Sequence, residues 1–373
     1  MNMNRREAMA LMGGLAVSTT LEAQSGPQTV APPFWKSRLS DVQAAVRGVK
    51  KGRARVLVQS AGKRDIHLVT YGEKQNLKGT ANYNSACGGL DPASYTRKDG
   101  TQKPVVFLLG PMHGNEFDGT VGLMNLIRIA ETRKDWRERE WKELADNIAC
   151  CRVLIVPCGN PDGRARCRHD SWVGVDRDTS QRAAMGVMAD GTSLEWPIVK
   201  RIHPMRGAAV KTLGAYFNDS GVNLMHDEWF DPMAAETRAF LRLAREEAPD
   251  FIVSLHARTS DPAILSTAYV PRAVKEKVKE LGDRVQRRYA AEGLPHEAGG
   301  PVPREDGVAF PPPPFNLTSA LHHACGAVTF THECCRYGSK SGAMTHEQML
   351  DIQLLLYDEL FKYAVERPVV WMK

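Results

Sequence analysis

Four short runs of apolar residues, set between longer segments with helical spacing, constrain the fold more than any other feature of this chain. They are Val105-Val106-Phe107-Leu108-Leu109, Val153-Leu154-Ile155-Val156, Phe251-Ile252-Val253-Ser254-Leu255 and Ala327-Val328-Thr329-Phe330. Runs that are apolar at nearly every position, rather than at alternate ones, suit strands buried on both faces. Residues 120–132, 234–247, 273–291 and 347–365 carry apolar side chains at helical intervals. Strands alternating with helices predict an α/β fold with a mixed, mostly parallel sheet flanked by helices. Residues 55–58 and 66–71, joined by Ser60-Ala61-Gly62-Lys63-Arg64, read as a hairpin, and residues 35–49 as a helix. The polar, Gly-rich stretch 75–103 reads as a loop. Residues 164–220 are long and irregular, a length that in a compact domain is usually functional.

Three of the apolar runs deliver chemistry at their ends. The first leads into Pro111-Met112-His113-Gly114-Asn115-Glu116. An imidazole and a carboxylate on one turn of backbone can grip the same divalent metal, and the C-terminal edge of an α/β sheet is where such sites lie. The third run ends at His256. Alone, His256 would read as a core residue. With His113 and Glu116 it completes two nitrogens and one carboxylate, the ligand set of a catalytic zinc site that keeps its fourth position for water. Such a site needs a general base, and Glu333, in Val328-Thr329-Phe330-Thr331-His332-Glu333, comes off the last run.

His113-x-x-Glu116, Asn160-Pro161-Asp162-Gly163, His256 after its strand and Thr331-x-Glu333 together resemble the ordered signature of the zinc carboxypeptidases of the carboxypeptidase A type. The likeness runs from about residue 55 to the C-terminus. It implies a three-layer fold around a mixed, mostly parallel eight-stranded sheet. It also implies one Zn2+ per chain on His113, Glu116 and His256, and a peptide or peptide-like substrate whose carbonyl is attacked by water with Glu333 as base. The family usually carries Gly-Val-Asp-Leu-Asn-Arg-Asn, whose Asn and Arg hold the substrate's terminal carboxylate. Here the corresponding stretch is Gly221-Val222-Asn223-Leu224-Met225-His226-Asp227. Met225 cannot donate a hydrogen bond, so the bidentate arginine clamp is missing. His226 and Asn160 become the substrate-binding candidates, and Arg166 the candidate to polarise the carbonyl. The family's mobile tyrosine has no match; Phe310-Pro311-Pro312-Pro313-Pro314-Phe315 occupies its region.

Two other functions fit the same residues. Gly110 to Glu116 also resembles the start of the aspartoacylase and succinylglutamate desuccinylase relatives, which makes an amidase or deacylase the alternative to a carboxypeptidase. A non-catalytic zinc-binding protein on the same fold is a third reading, opposed by the presence of His113, Glu116, His256 and Glu333 together.

Composition narrows partners and compartment. The net charge of +6 is modest for 373 residues, and basic residues alternate with acidic ones, as in Arg133 to Glu140. That stretch reads as a solvated helix, and no nucleic-acid partner is expected. No apolar stretch reaches the ~18–20 residues of a membrane span, so no stable membrane insertion is expected. Arg5-Arg6, a weakly apolar segment 8–17 and small or polar residues to Ala23-Gln24 follow the order of an export signal. The paired arginines resemble a twin-arginine signal, which implies a periplasmic or extracellular protein. The chain then divides into a signal at 1–23, an N-terminal segment and helix at 24–49, and a catalytic domain at 50–373. A peptidoglycan stem peptide would suit an exported enzyme of this kind. None of the eight cysteines forms a Cys-x-x-Cys pair; disulfides and buried thiols both remain open.

Overall fold

The apolar runs form the middle of a seven-stranded sheet. The structure, a computed structural model, describes residues 30–76, 79–308, 310–336, 338–339 and 342–371. The expected export signal at 1–23 lies outside the described residues. Helix α1 (Leu39–Arg47) leads into the hairpin β1 (Arg53–Gln59) and β2 (Asp65–Tyr71), then α2 (Tyr83–Gly88) and β3 (Val105–Leu109). There follow α3 (Phe117–Thr132), α4 (Lys142–Ala149), β4 (Arg152–Val156), α5 (Pro161–Arg166) and α6 (Arg177–Met185). A small hairpin, β5 (Gly186–Met188) and β6 (Val210–Leu213), precedes α7 (Ala235–Glu247), β7 (Phe251–Arg258) and β8 (Ala263–Ser266). The chain closes with α8 (Arg272–Ala291), α9 (Leu317–Cys325), β9 (Val328–Cys335) and α10 (His346–Glu366).

The sheet order is β1-β2-β4-β3-β7-β9-β8. Its four central strands, β4, β3, β7 and β9, are parallel, while β1, β2 and β8 pair antiparallel. The continuous apolar pattern has a direct cause. Val106, Leu108, Val153, Ile155 and Val253 pack with Val121 of α3, Val278 of α8 and Leu354 of α10. Their neighbours Phe107, Leu109, Leu154, Val156 and Ile252 pack on the other face with Phe240 of α7 and Leu321 of α9. The apolar residues of these strands thus meet one or other of two helical layers. Seven strands, one fewer than the eight implied by the resemblance, make up this sheet among the described residues. The outermost, β8, is short and gives way to α8 within six residues, and Leu265 on that edge is exposed.

Three local expectations are corrected. The charged stretch 133–140 is a folded-back turn rather than a helix. Asp135 is fully buried and its carboxylate accepts from the backbone N–H groups of Arg137 and Arg139 and from the Trp141 indole. The loop expected at 75–103 contains α2, capped by Asn82 accepting from the Ser85 N–H at 2.9 Å. The irregular stretch 164–220 holds α6, the β5–β6 hairpin and a short 3-10 helix, Ile198–Arg201. All eight cysteines are free thiols. No described helix is long and apolar enough to cross a membrane.

Candidate metal centre

The chain leaves β3 at Leu109 and turns through Pro111 to Glu116, where α3 begins. His113 and Glu116 therefore project from the turn between a buried strand and a buried helix. One strand over, His256 lies within β7, and its direct partner in the β7–β9 ladder is Glu333. Parallel pairing of β3, β7 and β9 puts all four side chains at one edge of the sheet.

Nδ1 of His113 is 3.0 Å from Oε1 of Glu116, Nδ1 of His256 is 2.9 Å from Oε2, and the two Nδ1 atoms are 3.2 Å apart. All three side chains are buried. Ligand atoms ~2.1 Å from a tetrahedral zinc stand ~3.4 Å apart, close to this triangle. Oε2 of Glu116 has no partner with hydrogen-bond geometry. Three lone-pair-bearing atoms converging without water are costly unless a cation or shared proton lies among them. Burial pushes His113 down to about 4, against the pull of Glu116, which keeps it in the neutral form that a metal requires. Ser254 Oγ, 3.0 Å from Nε2 of His256, fixes the second ring from behind. The donor set fits a zinc ion.

A sequence profile of the zinc carboxypeptidase family matches residues 53–261, more than half of the chain. The chain belongs to the zinc carboxypeptidase family. Its fold is shared with solved members of that group. A metallo-carboxypeptidase from Burkholderia cenocepacia is 13% identical with a TM-score of 0.52, over 86% of this chain and 67% of that one. The Pseudomonas aeruginosa metallo-carboxypeptidase, solved in complex with (2-guanidinoethylmercapto)succinic acid, is 12% identical with a TM-score of 0.52, over 87% and 68%. Carboxypeptidase A from Helicoverpa armigera is 14% identical with a TM-score of 0.50, over 89% and 73%. No curated protein matches the sequence.

In this zinc carboxypeptidase-family chain the Asn-Pro-Asp-Gly turn is a brace. Asn160, expected to bind substrate, spends both ends of its side chain internally. Nδ2 donates to the Met112 carbonyl at 3.0 Å, and Oδ1 accepts from the Gly163 N–H at 2.9 Å. Asp162 is buried and accepts from Ser60 Oγ at 2.6 Å, from the N–H of Gly62 at 2.9 Å and Asp219 at 3.0 Å, and from Arg64 at 2.9 Å. A Cβ on Gly163 would meet the Ala215 carbonyl at 2.1 Å, and one on Gly114 the Arg164 nitrogen at 2.0 Å. The bare backbones let three loops stack, with Gly114 N–H donating to Ala215 O at 2.8 Å.

That stacking delivers a side chain absent from the sequence reading. The Tyr216 ring lies against His113, centroids 3.5 Å apart and planes 13° from parallel. Arg166, expected to polarise the carbonyl, instead ties down this loop: its guanidinium is held by Asp219 and by the carbonyls of Gly214 and Phe217. His226 is pushed down to about 3 by burial and then by the charge of Lys200. It is therefore a neutral hydrogen-bonding group, not a cation. Arg336 was also missed; its Nη2 lies 2.7 Å from Oε1 of Glu116 and 2.8 Å from the Ala257 carbonyl. The available signal was a cation three residues beyond Glu333, just past the end of β9. Glu333 itself is raised by burial and by Glu116, against the pull of His256. The Phe310 to Phe315 stretch has a structural contact of its own, with the Trp229 indole donating to the Phe315 carbonyl at 3.0 Å.

Proposed function

We propose that this chain is a zinc-dependent hydrolase that cleaves a peptide or peptide-like amide bond, acting most simply as a carboxypeptidase, with Glu333 as general base. The observation that carries this reading is the placement of Glu333 beside His256 across the β7–β9 ladder, next to the converging His113 and Glu116. His113, Glu116 and His256 would hold one zinc ion. Bound zinc polarises a carbonyl and lowers the pKa of water to ~7. Glu333, its proton affinity raised by burial, takes a proton from the attacking water and returns it to the leaving nitrogen as the C–N bond breaks. Arg336 and Ser254 keep Glu116 and His256 in place. Tyr216 covers His113 and keeps bulk water from that side.

An amidase or deacylase is favoured by one specific observation: His226, held neutral by burial, takes the sequence position of the family's clamp arginine. A peptidoglycan stem peptide is a substrate that either activity could use in an exported enzyme. Zinc-loaded protein incubated with matched peptide libraries bearing free or amidated C-termini, followed by mass spectrometry, tests the proposal. Loss of terminal residues from the free acids alone is the expected result. Cleavage indifferent to the terminus points to the amidase, and no cleavage of any peptide overturns the peptidase reading.

A further inference from the structure

We propose that the outer edge of β1 is an interaction surface that accepts an extended acidic peptide as an added strand. β1 (Arg53–Gln59) is an end strand of the seven-stranded sheet and pairs only with β2. Apart from that ladder, its backbone has one hydrogen-bond partner among the described residues. This is its own Arg55 guanidinium, which donates to the Val56 carbonyl at 3.4 Å. Residues Arg53 to Val56 are all exposed, so neither a helix nor a loop covers this part of the edge. A strand unpaired on one side keeps a row of N–H and C=O groups for another chain. β2 and β4 separate this edge from β3 and the metal centre, so the surface is independent of the chemistry there.

The charge along this edge names the partner. From Val42 to Arg64 the chain carries seven basic residues and no acidic one, more positive charge than the net +6 of the whole chain. Elsewhere arginines are paired with acids, as Arg128 is with Glu138, Arg133 with Asp146 and Arg137 with Asp351. Here Arg47, Lys50, Lys51, Arg55 and Lys63 are exposed, with no carboxylate in ion-pair reach among the described residues. Glu131 accepts from the backbone N–H groups of Lys50 and Lys51, not from their ammonium groups. Arg53 meets Glu73 at 3.6 Å, but both side chains are open to solvent, 83% and 90% exposed, where such a pair contributes little. Arg64 is engaged, by Asp162 and Asp219. Across the ladder Arg53 stands opposite Thr70 and Arg55 opposite Leu68, so β2 supplies no counter-charge to either. Like charges keep two copies of this edge apart, which is how an exposed strand is protected from its own kind. The same charges attract a strand of opposite sign. Arg53 and Arg55, two residues apart, point to one face of the strand. The matching ligand is therefore an extended peptide with acidic side chains at alternate positions. Its backbone bonds the open edge, and its carboxylates select the basic one.

The test separates strand addition from mere charge attraction. The probe is acetyl-Glu-Val-Glu-Val-Glu-Val-Glu-amide carrying a fluorophore, titrated against the zinc-loaded Glu333→Gln chain and followed by anisotropy. Two analogues accompany it: one with Lys in place of every Glu, and one N-methylated throughout, which keeps the charge and removes the backbone donors. The acidic peptide binds, the Lys analogue does not, and N-methylation weakens binding about 10-fold or more. Amide hydrogen exchange slows within Arg53–Gln59 when the acidic peptide is present. The Arg53→Glu, Arg55→Glu double variant binds it about 10-fold more weakly. The N-methyl comparison is made on the unaltered edge, so a folding defect in the double variant does not decide the result. No binding of the acidic peptide, equal binding of its N-methylated form, or exchange protection outside β1 alone would each overturn the proposal.

Discussion

His256 on β7 and Glu333 on β9 are direct partners in adjacent parallel strands. The proposed metal ligand and the proposed general base are thereby set side by side by backbone hydrogen bonds rather than by loops. Side chains on neighbouring strands at one register level share a face of the sheet. A one-residue slip of β9 would move Glu333 to the opposite layer.

Replacing Glu333 with Gln keeps the shape and removes the base. Turnover should fall by ~10²- to 10⁴-fold, the usual worth of a positioned base, while zinc content measured by atomic absorption stays at the wild-type value. Wild-type turnover in this variant would remove Glu333 from the mechanism.

Ser254→Ala should weaken zinc binding by ~10- to 100-fold, because the hydroxyl 3.0 Å from Nε2 of His256 orients the ligand from behind. Competition titration against a chelator reads the affinity. Equal affinities in the two proteins would mean that packing alone holds the ring.

Asp162→Ala should destabilise the fold by ~2–4 kcal/mol in urea unfolding, since several hydrogen bonds to one buried carboxylate disappear together. Burial alone would raise this carboxyl, but Ser60, the N–H groups of Asp219 and Gly62, and Arg64 hold it below its ordinary range. The sign follows from that depression. The contribution is complete above the unfolded value of ~3.9 and is lost as pH falls through the lower folded value. The wild-type and Asp162→Ala stabilities should therefore converge in strong acid; a constant gap down to pH 2 would contradict this account.

Removing the metal with a chelator should lower the melting temperature, and added zinc should restore it. An ion that binds only the folded chain stabilises it by ~2.7 kcal/mol at a hundredfold excess over its dissociation constant. Calorimetric scans with and without zinc make the comparison, and superimposable scans would show that the triad binds no zinc.

The elements visible in the sequence are those whose burial shows in a few consecutive residues. Runs such as Val105 to Leu109 and Arg152 to Val156 are buried on both faces, so their apolar pattern is local and readable. His113, Glu116, His256 and Glu333 were legible because each stands at or just beyond such a run. Asp135 was misjudged because nothing local distinguishes the one buried carboxylate in a mixed-charge stretch from its solvated neighbours. Asn160 and Arg166 were given chemical tasks on the strength of their motif. Their partners, Met112, Gly214, Phe217 and Asp219, come from remote segments, and spacing does not reveal them. The place of Tyr216 was hidden for the same reason: it reaches the centre through tertiary contacts of a long segment without strong periodicity.

The flat contact between Tyr216 and His113 couples the order of the Tyr216 loop to that of the His113 ring. Any force that steadies the His113 ring also steadies the tyrosine upon it, and linkage requires the converse. One pair of rings thus joins the β3–α3 turn to the loop after β6, and a change at either reaches the other.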